Sequence, residues 1–110
     1  MDYRYKLEIE LDDEKIISDN KYDKNSIYKT IREMFADEGI LEVKSDRHML
    51  VFASNKTDDK EFARFGLIEK TLLNADWFMP YVTRLMWYDT LYGVVSQEDV
   101  IKVARKHGII

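Results

Sequence analysis

Trp77-Phe78-Met79-Pro80-Tyr81-Val82-Thr83-Arg84-Leu85-Met86-Trp87-Tyr88-Asp89-Thr90-Leu91-Tyr92 is the stretch on which the fold turns. Taken as a strand, it sends Tyr81, Thr83, Leu85 and Trp87 to one side and Val82, Arg84, Met86 and Tyr88 to the other, the period of two that a pleated backbone imposes. Taken as a helix over 77–91, it would place Asp76, Pro80, Thr83 and Thr90 on a polar face. Pro80 suits the start of an edge strand or the first turn of a helix equally. Element order favours the strand, because an N-terminal strand followed by helix, hairpin and helix needs a pairing partner. The segment also holds six aromatic residues, both tryptophans among them. Large aromatics dominate core and interface energetics, and one buried face does not need so many.

Tyr3 to Leu11 alternates strictly. Tyr3, Tyr5, Leu7, Ile9 and Leu11 share one face, while Arg4, Lys6, Glu8 and Glu10 share a mixed-charge, solvated one. This predicts a half-buried strand. Asp12 to Lys24 is polar and predicts a loop. Asn25 or Ser26 then caps a helix with Ile27, Ile31, Met34 and Phe35 at helical spacing, ended by Gly39. Ile40–Lys44 and His48–Ser54 predict two short strands around Ser45-Asp46-Arg47. The continuously apolar Met49-Leu50-Val51-Phe52-Ala53 suits a central strand covered on both faces.

Asp58 or Asp59 starts a second helix through Leu73, with Phe62, Phe65, Ile68 and Leu72 inward. Gly66 inside that helix costs about 1 kcal/mol relative to alanine, and close packing against the sheet would account for it. Ser96-Gln97-Glu98-Asp99 has the signature of a capping box opening a last helix. Val100, Val103, Ala104 and His107 form the inner stripe of that helix, and Gly108 with Ile109 forms its Schellman-type close.

The expected architecture is therefore a single α+β domain over 1–110. It is an antiparallel sheet with helices packed on one face, in a ferredoxin-like βαββαβ order plus a C-terminal helix. The alternative is a three-stranded sheet with residues 77–91 helical. The ferredoxin-like scaffold hosts many unrelated functions and assigns none by itself.

Composition narrows the function classes. A chain of 110 residues with 45% hydrophobic and 35% charged residues can bury a core without staples. It contains no cysteine, which removes disulfides, thiol catalysis and cysteine-based metal sites and leaves the cytoplasm as the default location. The start of the chain shows no signal-peptide pattern, and the longest apolar run, Trp77 to Val82, is too short to span a bilayer. A net charge of −4 with interspersed signs lacks the basic footprint of a nucleic-acid binder.

Few residues stand in a pattern that carries chemistry. Asp12, Asp13, Glu14, Asp19 and Asp23 crowd one segment, but the calcium-loop pattern from Asp19 fails at Lys21, Lys24 and Thr30. His48 and His107 lack metal-ligand spacing and read as structural. No nucleophile elbow, phosphate loop or dinucleotide fingerprint is present. Asp89, following Trp87-Tyr88 and sharing its element with Arg84, is the best acid–base candidate. Its plain alternative is an exposed turn residue or a partner of Arg84.

The leading expectation is a non-enzymatic cytoplasmic module that binds a protein partner, or a second copy of itself, through Trp87, Tyr88, Arg84 and Tyr92. No catalytic residue, metal or cofactor is assigned, and no membrane partner is expected. A nucleic-acid-associated regulator is the alternative, and a small enzyme using Asp89 comes third.

Overall fold

The computed structural model describes residues 3–46, 49–90 and 93–110. Strand β1 (Tyr5–Leu11) leads into helices α1 (Asp13–Asp19) and α2 (Lys24–Asp37), then strands β2 (Leu41–Glu42) and β3 (Met49–Ser54). Helix α3 (Asp59–Leu73), strands β4 (Val82–Asp89) and β5 (Ser96–Asp99) and helix α4 (Val100–Lys106) complete the chain. The five strands form one antiparallel sheet in the order β2-β3-β1-β4-β5.

The alternation of β1 sets the two faces. Tyr5, Leu7, Ile9 and Leu11 are buried and join Leu50, Phe52, Leu85 and Trp87 in the core. All four helices send their buried side chains to that same face: Ile16 from α1, Ile27, Ile31 and Phe35 from α2, Phe65, Ile68 and Leu72 from α3, Val100 from α4. Phe35 stacks on Phe52 with ring centroids 3.8 Å apart, and each such buried ring contributes about 1.5–3 kcal/mol by leaving water.

The decisive segment divides in two. Residues 75–81 form consecutive turns, in which Met79 donates to Ala75 O at 3.0 Å and Tyr81 to Phe78 O at 3.0 Å, with Phe78 and Tyr81 buried. The strand begins only at Val82, so the helix over 77–91 does not form among the described residues. Against β1, Glu10 faces Arg84 but Leu11 faces Val82. Thr83 is the extra residue, and its hydroxyl donates to Glu10 Oε1 at 2.8 Å. This bulge turns Val82 towards the core side.

Several expectations need correction. Asp12–Lys24 is not all loop: Asp12 accepts from Lys15 N and starts α1, which buries Ile16. Asp23, not Asn25 or Ser26, caps α2 by accepting from Ser26 N at 2.9 Å. Ser96–Asp99 pairs with β4 as a fifth strand, leaving Asp99 alone to cap α4. β4 therefore lies inside the sheet between β1 and β5, and Pro80 precedes it in a turn. Apolar β3 is interior by neighbour, yet the buried helix side chains cover only one of its faces. Phe62 is 55% exposed instead of inward. His107 is exposed at the C-cap of α4, not on its inner stripe. The predicted Schellman close is present: Ile109 N donates to Ala104 O at 2.9 Å and Gly108 N to Arg105 O at 3.1 Å. His48 lies outside the described residues.

Candidate functional site

The four residues singled out from the sequence do not form one patch. Arg84 and Tyr88 point to the sheet face away from the helices, Trp87 points into the core, and Tyr92 lies outside the described residues. A strand sends neighbours to opposite sides, so Trp87 and Tyr88 cannot share a surface.

On the outer face Arg84 and Tyr88 meet over Glu8. Tyr88 Oη donates to Glu8 Oε1 at 2.7 Å, Arg84 Nη2 donates to the same oxygen at 3.0 Å, and Arg84 Nη2 also donates to Tyr88 Oη at 2.8 Å. Burial pushes the Glu8 carboxyl up, but the hydrogen bonds from Tyr88 and Arg84 and the nearby Lys6 outweigh it, holding the group below the usual carboxylate range. Burial, then the bond to Glu8, raises the Tyr88 phenol. Lys6 Nζ lies 3.8 Å from Glu8 Oε2, 4.3 Å from the Tyr88 ring centre and 4.8 Å from that of Tyr3. Tyr3 thus sits on the Lys6 side, not in the core with Tyr5. Each cation here already has a carboxylate, so the face is a self-satisfied polar network and not a stacking platform with spare positive charge.

Asp89 faces the core side, opposite Tyr5, and pairs with Arg4: Arg4 Nε donates to Asp89 Oδ1 at 2.8 Å. Its charge partner is Arg4, while Arg84 belongs to Glu8. The acidic segment is likewise put to local use, since Asp12 and Asp23 cap helices and Asp13 accepts from Tyr28 Oη at 2.6 Å.

The more open feature lies between α3 and α4. Helix α3 carries two stripes about one residue apart. Glu61, Phe65, Ile68 and Leu72 are buried. Phe62, Gly66, Glu69 and Leu73, at the i, i+4, i+7 and i+11 positions of one helical face, line a groove of about 540 Å³. Val100, Val103 and Ala104 of α4, with Ile109, form the opposite wall. Trp87 is the floor: 9% exposed, it stacks on Tyr5 at 5.3 Å between centroids and meets Phe62 and Phe65 edge-on at 5.9 and 5.1 Å.

Gly66 is not pressed against the sheet. It is exposed, and a Cβ built there meets nothing within 4 Å. Glu69 is half-buried in the groove, with Glu98 of β5 also in its lining. Burial first, and then the Glu98 carboxylate, push the Glu69 carboxyl up to about 7. Among the described residues no cation pairs with either carboxylate. Phe62 as a surface ring, Gly66, Glu69 and Glu98 were all missed as site residues. The signal for them was the second stripe, in which a glycine and a carboxylate interrupt apolar positions.

Comparison with family models, with curated proteins and with solved structures gives no match.

Proposed function

We propose that this chain is a non-enzymatic interaction module that receives a cytoplasmic protein partner in the groove between α3 and α4. The observation that carries the proposal is the Phe62–Gly66–Glu69–Leu73 stripe over the Trp87 floor. A glycine that opens a helix wall, beside an exposed ring and an aromatic floor, suits an inserted apolar side chain. Of the residues expected to bind, Trp87 serves as the floor, while Arg84 and Tyr88 stabilise the outer face. The neighbour order of the first four strands, β2-β3-β1-β4, supports a ferredoxin-like framework to which β5 and α4 are added.

Affinity capture from the source cell extract with wild type, Gly66→Phe and Phe62→Ala as parallel baits tests the proposal. The expected result is a partner retained by wild type and lost from both variants. A partner held equally by all three would move the interface elsewhere. Sedimentation of the wild type across micromolar concentrations checks the version in which the partner is a second copy, since groove-mediated association should vanish in Gly66→Phe.

A further inference from the structure

We infer that the groove recognises a basic amphipathic polypeptide segment, with a lysine or arginine seated between Glu69 and Glu98 and apolar side chains over Phe62, Gly66 and Trp87. The inference rests on the interaction-module reading and names the chemistry of its partner.

Charge complementarity carries it. Glu69 comes from α3 and Glu98 from β5, and both line the same mainly apolar groove. Their mutual repulsion is part of what holds the Glu69 proton. Among the described residues Lys70 is the one cation in the lining, yet it makes no ion pair with either carboxylate, and α4 contributes Val100, Val103 and Ala104 to the wall. A cation entering with the partner would convert that repulsion into two attractions in a partly desolvated site, where such contacts are strongest. An acidic or anionic partner would add a third negative group and be rejected.

Length argues for a polypeptide over a small amine. The stripe from Phe62 to Leu73 spans eleven helical steps, about 16 Å at 1.5 Å per residue. That suits about three turns of an amphipathic helix laid along α3, a familiar mode of groove recognition.

The test uses Trp77→Phe protein, in which Trp87 is the only tryptophan, and three blocked twelve-residue peptides with one apolar stripe and lysine, glutamine or glutamate at the remaining positions. Trp87 fluorescence and amide shifts along α3 and α4 report binding. The lysine peptide should bind at least about tenfold more tightly than the glutamate peptide, with the glutamine peptide between them. In Glu69→Gln/Glu98→Gln the lysine and glutamate peptides should bind within about threefold of each other. Gly66→Phe should weaken all three. Equal binding of the three peptides to wild type, still blocked by Gly66→Phe, overturns the basic partner and leaves the groove standing. A lysine preference that survives the double glutamine variant also overturns it. Binding untouched by Gly66→Phe removes the groove as the interface altogether.

Discussion

Replacing Glu69 by glutamine should stabilise the protein at pH 8 and leave its stability at pH 4 nearly unchanged. The sign follows from protonation. Well below the ordinary carboxyl value of 4.5, the group is protonated in folded and unfolded chains alike and favours neither. Between 4.5 and about 7 the unfolded chain ionises while the folded chain keeps its proton, and each pH unit in that window costs the folded state about 1.4 kcal/mol. Above the folded value the cost levels off at about 3 kcal/mol. The carboxyl is only half-buried, so solvent screens part of this, and a gain of about 1–3 kcal/mol at pH 8 is expected for the variant. That corresponds to a rise in urea midpoint of about 1 M. Urea titrations of both proteins at pH 4 and pH 8, followed by far-ultraviolet circular dichroism, measure the difference. A carbon-13 titration of the Glu69 carboxyl locates its midpoint directly. The same stability difference at both pH values, or a carboxyl that titrates below pH 5, would refute the reasoning.

Gly66→Ala should add up to about 1 kcal/mol of stability, because the new methyl meets nothing within 4 Å; a loss in thermal or urea unfolding would mean the site is packed after all. Trp87→Ala should cost about 3–5 kcal/mol at every protein concentration, as a core ring does, whereas Phe62→Ala should cost well under that while abolishing partner capture. Tyr88→Phe should cost about 1.5–3 kcal/mol at pH 7 by removing a hydrogen bond to a charged group. Glu8 is held below its usual value, so its contribution is present above 4.5 and fades as pH falls through the folded value; the Tyr88→Phe deficit should shrink in acid unfolding curves. Random single-stranded DNA or RNA should not bind at submicromolar concentration near physiological salt, since the net charge is −4 and Lys6 and Arg84 both contact Glu8. A fluorescence-anisotropy titration decides this.

How far the residues disclosed the fold depended on how local the deciding physics was. β1 was legible because strict alternation over seven paired positions has no competing period. The Schellman close at Gly108 was legible because positive φ and the following Ile109 leave few options. α1 was hidden because a seven-residue helix with a single buried side chain, Ile16, has almost no periodicity to show. Ser96–Asp99 carries a real helix-start pattern, but pairing with Met86–Asp89 overrides it, and only tertiary structure supplies that partner. The site failed for a related reason. Aromatic density in 77–92 marked the core more than the surface, because turns bury Phe78 and Tyr81 and the sheet buries Trp87.

What separates the α3–α4 groove from the outer sheet face is where each local cost is answered. On the outer face every expensive group has a partner: Glu8 has Tyr88, Arg84 and Lys6, and the hydroxyl of Thr83 at the bulge has Glu10. Such a network rigidifies a fold and gains little from a further molecule. Along one stripe of α3, by contrast, three costs stand together and are only partly answered by the described residues. Phe62 exposes a ring, Gly66 gives up helix propensity where no neighbour requires a missing Cβ, and Glu69 holds a carboxyl that opposes folding above neutral pH. Gly66→Ala and Glu69→Gln should stabilise the isolated protein, Phe62→Ala should cost it far less than loss of a core ring, and proteins retain such residues where activity needs them. The three lie at positions 62, 66 and 69 of one helical face, so a single bound segment can touch all of them. One occupant that shields a ring, packs against a bare backbone and supplies a cation would answer all three costs at once.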